Sequence, residues 1–240
     1  MSSVHMGMKF PGDKLTTPIK GRRCVLLLSG GIDSTVILEM LRRNEWQVHA
    51  LSVDYGQRHS FELEAASRIA GFYGVDWRRV NVDASGLLLS PLTGSQAPTT
   101  KTLEEIRAQG RSEYFVPGWN TIFLSFALGL AQSLGIGFIF VGATLEDNAE
   151  FPDCRPEFFE SFGKVASLAT EKKIEVRAPL IQMRKQDVVT VGHELKAPLD
   201  LTISCYHATD VIHCGRCPAC LIRREAFENA GIEDPTRYRS

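Results

Sequence analysis

The sequence predicts an α/β fold, a parallel sheet with helices on both faces, followed by a small C-terminal segment built on four cysteines. Three observations point there. Short apolar runs alternate with segments of helical periodicity from Cys24 onward. The first run enters its helix through Gly30 and Gly31. Four of the 6 cysteines, Cys205, Cys214, Cys217 and Cys220, crowd into one short stretch near the end.

The elements follow in order. Cys24–Leu28 is apolar throughout and reads as a strand buried on both faces. After Asp33, Val36, Ile37, Met40 and Leu41 recur at helical spacing. The turn between them is tight, with Gly30 and Gly31 free to take positive φ. Residues 47–56 read as a second strand. Residues 60–74 read as a helix with Phe61, Ala65, Ile69 and Phe72 on one side and Gly74 closing it. Residues 77–83 suit a third strand, and 84–116 carry prolines, glycines and threonines with almost no periodicity. The helix at 121–135 is apolar nearly all round and is expected to be buried. A fourth strand at 138–143, a loop at 144–155 and a helix at 156–170 opened by Pro156 come next. A short fifth strand at 174–180 and a helix at 184–196 precede the cysteine segment. Residues 1–22 form a polar extension, 23–200 the α/β domain and 201–240 the cysteine segment packed on it.

The bulk numbers exclude several classes. A net charge of −1 over 240 residues argues against a broad, sequence-independent grip on nucleic acid. No apolar run is long enough to span a bilayer, and the N-terminus lacks a signal-peptide core, so a cytoplasmic location is expected. In a reducing compartment four clustered cysteines point to a metal rather than disulfides.

A strand, a glycine turn and a helix N-terminus make an anion site. The first-turn N–H groups have no intrahelical partner, and the helix dipole favours negative charge there by ~0.3–1 kcal/mol. The plainer reading is a tight turn with Asp33 or Ser34 as N-cap. No lysine follows the glycines as in a Walker loop, and the dinucleotide spacing is missing. Ser29-Gly30-Gly31-Ile32-Asp33-Ser34 instead resembles the PP-loop of the ATP pyrophosphatases, a Rossmann-like superfamily. The resemblance implies ATP binding along Leu28–Thr35, with backbone N–H groups and the Ser29 and Ser34 hydroxyls around the β,γ-diphosphate and Asp33 on Mg²⁺. The C-x8-C-x2-C-x2-C spacing of Cys205, Cys214, Cys217 and Cys220 suits a closed, structural Zn²⁺ site worth ~10–16 kcal/mol; the other reading is a pair of reactive C-x-x-C thiols.

The cysteine segment, the "REAFENAGIEDPTRY" that follows, "DYGQRH", "PDCRPEF" and the Ser29–Ser34 loop together resemble the 7-cyano-7-deazaguanine synthase family over residues 24–237. The resemblance implies a zinc-containing, often homodimeric ligase. From 7-carboxy-7-deazaguanine, ammonia and ATP it makes the nitrile, releasing AMP and pyrophosphate. It implies catalytic roles for Asp33, Ser34 and Lys185, the last neutralising the phosphoryl transition state; a solvated lysine at a helix start is the other reading. Arg58 and Arg155 are candidate binders of phosphate or the substrate carboxylate, with Asp153 and Trp119 beside them at the substrate. Tyr114, Phe115 and Trp119 are candidate walls for a purine-like ring.

Two departures stand out. The family usually has "VP-x-R-N" before its buried helix, where this chain reads "VPGWN" and places Trp119 at the arginine position. "GATLEDNAEFPDC" also replaces a more typical Asn- and Tyr-bearing loop. Other functions remain open, the first of them suggested by these departures. One is a paralogue that stops at the amide or transfers the deazaguanine acid to a protein or other amine. The others are a non-catalytic zinc-stapled nucleotide module and a tRNA-thiolating relative with redox-labile cysteines.

Overall fold

A computed structural model describes residues 21–57, 61–83, 102–108, 116–208 and 211–239. Nearly all of the 1–22 extension, most of 84–116, Arg58, His59, Tyr114 and Phe115 lie outside the described residues. Five parallel strands, β1 (Arg23–Leu27), β2 (Gln47–Asp54), β3 (Asp76–Asn81), β4 (Phe138–Phe140) and β5 (Glu175–Arg177), stand in the order β3-β2-β1-β4-β5. The helices are α1 (Ile32–Arg43), α2 (Phe61–Tyr73), α3 (Leu103–Ala108), α4 (Trp119–Leu134), α5 (Leu145–Glu150), α6 (Pro156–Ala169), α7 (Lys185–Glu194) and α8 (Pro218–Ala230). The chain runs outward from β1 to β3 and then returns to the other side of β1 for β4 and β5. That reversal opens a crevice beyond the carboxyl ends of β1 and β4, where sheets of this kind take ligands.

The alternation of strand side chains builds two cores. Cys24 and Leu26 face one side, where Val36, Ile37 and Met40 of α1 and Val188 and Val189 of α7 cover them. Val25 and Ile139 face the other, against Leu124, Ala127 and Ala131 of α4 and Phe159 and Phe162 of α6. Each fully buried Leu, Ile or Phe contributes ~1.5–3 kcal/mol, so both helical layers are needed. Ala226 and Phe227 of α8 join the first core, which ties the cysteine segment to the domain.

Several elements differ from the sequence expectations. The fifth strand is confined to Glu175–Arg177. Phe72 of α2 is exposed, while Leu63, Ala66 and Ala70 are buried with Ala65 and Ile69. α4 begins at Trp119 and is not buried all round. Only Leu124, Ala127 and Ala131 are fully covered, because the sheet shields one side of an outer-layer helix and leaves the rest of its apolar surface half-open. The expected loop at 144–155 contains α5, opened by a capping box in which Asp147 accepts from the Thr144 backbone N–H (2.8 Å) and hydroxyl (2.7 Å). α8 was not expected as a helix, although Pro218 in its first turn and Gly231 just past its end are ordinary boundary signals.

Candidate active site

The loop between β1 and α1 lies at the crevice. Of the two glycines free to take positive φ in this turn, Gly30 does so (85°), whereas Gly31 is extended (φ −83°, ψ 174°). Gly30 is needed for a second reason. A Cβ there would stand 2.4 Å from the Glu62 carbonyl oxygen and 2.8 Å from the Ala66 nitrogen, so α2 rests directly on the loop. Gly31 is the N-cap of α1 and offers no side-chain cap, so neither Asp33 nor Ser34 caps the helix and its first-turn N–H groups stay open to an anion. The hydroxyls shape the turn. Ser29 Oγ lies 3.1 Å from Ser34 Oγ and accepts from Gly31 N–H (3.2 Å), while the Thr35 hydroxyl donates to Gly31 O (2.8 Å). Thr35 and Ile32 are buried behind the loop and support it, whereas Ser29, Asp33, Ser34 and Leu28 line the cavity in front. Beside Asp33, Gly142, just past β4, lets the chain approach the start of α1. A Cβ on it would lie 3.1 Å from Asp33 Cβ.

Lys185 is brought to the loop from 152 residues away and meets Asp33 Oδ2 at 2.6 Å. It is the first residue of α7, and its backbone N–H is held by both Glu146 carboxylate oxygens at 3.1 Å. Asp147 Oδ2 lies 3.9 Å from the ammonium. Burial works against the Lys185 charge, but Asp147 and Asp33 outweigh it and hold the ammonium above the ordinary lysine range. Burial pushes the Asp33 carboxyl up, and Lys185 offsets this only in part. Asp33 Oδ1 is buried with no hydrogen-bond partner. An orphaned carboxylate oxygen beside Asp147 and an anion-binding turn is a fit for a divalent cation such as Mg²⁺.

The cavity, about 350 Å³, opens between this loop and an aromatic wall. Trp119 is in that wall, packed edge-to-face on Tyr55 (centroids 3.7 Å apart) and against Phe123. Asp153, in a single 3₁₀ turn at Pro152–Cys154, also lines it; one carboxylate oxygen accepts from Asn120 N–H (2.9 Å), fastening the start of α4. Arg155 is exposed at the start of α6 and is not part of the cavity wall, and Arg58 lies outside the described residues. Sequence reasoning missed Asp147 and Glu62. The Thr144-x-x-Asp147 spacing was a readable cap signal for the first. Nothing local marks Glu62, which burial pushes up to about 7, with a smaller push from Cys205.

The four clustered cysteines converge. Their Sγ atoms all lie within 4.8 Å of one another, with Cys217–Cys220 at 3.5 Å and Cys217–Cys205 at 3.9 Å. Tetrahedral Zn–S bonds of ~2.3 Å place sulfurs about 3.8 Å apart, which these spacings match. Backbone N–H groups of His207 and Cys214 point at Cys205 Sγ (3.2 Å each) and that of Cys217 at Cys214 Sγ (3.3 Å). Hydrogen bonds from the Cys217 and Cys220 thiols hold Cys205 well below the ordinary thiol range, while Cys205 in turn pushes Cys217 and Cys220 up. Four buried thiols that cannot ionise together without a cation fit a metal centre. Arg223, 1% exposed, fixes the segment. It donates to Asp234 (3.1 Å), Thr202 Oγ1 (2.8 Å) and the Leu199 carbonyl (3.2 Å).

Comparison with known proteins identifies relatives of this chain. A 7-cyano-7-deazaguanine synthase from Pseudomonas syringae pv. syringae (strain B728a) is 43% identical over 224 residues, covering 90% of this chain and 96% of that protein. One from Legionella pneumophila (strain Paris) is 43% identical over 226 residues, covering 90% and 97%. Among solved structures, the U34-tRNA thiolase NcsA from Methanococcus maripaludis with its [4Fe-4S] cluster superposes with a TM-score of 0.51 at 16% identity, covering 88% of this chain and 65% of that one; this likeness concerns the fold alone. Residues 23–231 match the family model described as queuosine biosynthesis protein QueC, and the chain belongs to that family.

Proposed function

We propose that this protein is an ATP-dependent ligase that converts 7-carboxy-7-deazaguanine to 7-cyano-7-deazaguanine. The observation that carries the reading is the meeting of Lys185 and Asp33 at 2.6 Å on the open first turn of α1, where Asp33 lines the cavity. The curated relatives of this family carry that enzyme's name over nearly their whole length. The chemistry needs two activations. Attack of the carboxylate on the α-phosphorus of ATP gives an acyl adenylate and pyrophosphate. Ammonia displaces AMP to give the amide and a proton. The amide oxygen then attacks the α-phosphorus of a second ATP, releasing a second pyrophosphate, and loss of AMP and the two amide protons leaves the nitrile.

The chain's own groups fit these steps. The first-turn N–H groups of α1 with Ser29 and Ser34 hold the leaving pyrophosphate. The Lys185 ammonium stabilises charge that grows on the phosphoryl oxygens in the transition state. Asp33, with Asp147 beside it, would hold Mg²⁺, which neutralises the diphosphate. Cys205, Cys214, Cys217 and Cys220 would hold a structural Zn²⁺ that fixes the C-terminal segment. The half-open apolar side chains of α4, with Val165 and Leu168 exposed on neighbouring α6, supply a surface for a homodimer. Among the described residues no helix is long and apolar enough to cross a membrane.

The test is product analysis with 7-carboxy-7-deazaguanine, ATP, Mg²⁺ and ammonium. The expected result is nitrile with two AMP released for each. AMP release without nitrile, or no AMP at all, overturns the reading.

A further inference from the structure

The cavity holds a carboxylate that the chemistry above does not use. Four acidic side chains line it: Asp33, Glu62, Asp147 and Asp153. Three are engaged by protein donors. Asp33 takes the Lys185 ammonium, Asp147 the Thr144 N–H and hydroxyl, and Asp153 the Asn120 N–H. Glu62 has no donor among the described residues. It sits in the first turn of α2, whose backbone rests on Gly30, and its neighbours in the wall are Tyr55, Leu63 and Tyr206. A carboxylate without donors in such surroundings is costly unless something arrives to pair with it.

We propose that Glu62 reads the 2-amino edge of the deazaguanine ring, its two oxygens accepting the ring N1–H and one hydrogen of the 2-amino group. The inference rests on the deazaguanine reading of the site. Two adjacent, parallel N–H donors are what distinguish a guanine-type edge, and an ionised carboxylate is the side chain with two acceptors and no donor. The adenine of ATP presents an acceptor beside its amino group and cannot satisfy both oxygens. Glu62 therefore sorts the substrate ring from the nucleotide base within one crevice, while Tyr55 and Trp119 supply aromatic surface for a planar ring. A site built to receive such donors rejects an analogue that lacks them far more strongly than an apolar pocket does.

The experiment compares AMP formation from 7-carboxy-7-deazaguanine and from its analogue without the 2-amino group, 7-carboxy-7-deazahypoxanthine. Wild type, Glu62→Gln and Glu62→Ala are each assayed with ATP titrated separately. Wild type should prefer the amino-bearing acid by on the order of 100-fold in kcat/KM. Glu62→Ala should bring that ratio to within a few-fold, and Glu62→Gln, which keeps one acceptor, should fall between. The change should appear in the KM for the acid and not in the KM for ATP, which also reports that each variant is folded. A wild-type enzyme that makes AMP from both acids equally, or variants that keep the full preference, overturns the assignment while leaving the proposed reaction intact. A wild type that makes no AMP from either acid overturns the reaction and the assignment together.

Discussion

Gly30→Ala and Gly31→Ala should behave very differently, although the two glycines are adjacent in one motif. At Gly30 an alanine meets two separate penalties. A φ of 85° costs an L-residue ~1–2 kcal/mol. Its Cβ, built 2.4 Å from the Glu62 carbonyl oxygen and 2.8 Å from the Ala66 nitrogen, also meets backbone on α2 rather than the flexible end of a side chain. Reaching ordinary contact requires α2 and the loop to part by roughly 1 Å, an overpacking cost of ~1–3 kcal/mol. Together these give roughly 2–5 kcal/mol, or a fall in Tm of about 5–15 °C for a domain of this size. If this loop holds the ATP phosphates as proposed, a displacement of about 1 Å there should further lower kcat/KM for ATP on the order of 100-fold. At Gly31 the backbone is extended and the nearest atom to an added Cβ is Ser29 Oγ at 3.4 Å, so Tm should stay within about 2 °C of wild type. Thermal unfolding of both variants, with AMP release as the activity readout, tests the argument. Equal Tm losses at the two positions, or an unchanged Gly30→Ala, would refute it.

The other predictions concern the pairs around the site. Lys185→Met should lower kcat by about 10²–10³-fold with a smaller effect on the KM for ATP, because the ammonium acts on charge that grows in the transition state; a loss confined to KM would count against this. Cys217→Ser, or treatment of the wild type with a strong chelator, should remove bound zinc as measured by elemental analysis and lower Tm steeply, and an unchanged Tm after complete zinc loss would exclude a structural metal. Arg223→Met should destabilise by ~3–5 kcal/mol in chemical denaturation, since it leaves Asp234 without its cation in a largely buried position. Burial alone would raise the Asp234 carboxyl, but Arg223 and hydrogen bonds from Tyr238 and Thr236 outweigh it and hold its folded pKa below the ordinary value. Its contribution is therefore complete above about pH 4 and is lost as pH falls through the depressed folded pKa. Asp234→Asn should flatten that part of the acid limb, and an acid limb identical to wild type would contradict the sign.

Both chemical motifs were readable because each is contiguous. The Ser29–Ser34 turn joins a strand to a helix, so its uncapped first-turn N–H groups follow from local geometry, and Cys205 to Cys220 close a metal-sized cluster within one segment. The alternation of elements likewise foretold the parallel sheet, since only crossovers through helices can connect such strands. Periodicity misjudged α4. An apolar circumference tells how much surface seeks cover, whereas the sheet in this chain covers only one side.

The sequence by itself determined the sheet, the glycine turn and the cysteine cluster, because each depends on neighbours within a few residues or on a repeating pattern. Only the tertiary structure decided which distant groups share the crevice. Lys185 reaches Asp33 because α7 packs on α1, Glu146 pins the start of α7, and Glu62 enters the cavity because α2 lies on Gly30. Those meetings depend on how whole elements pack across the sheet, and no local run of residues encodes the distance between two helices.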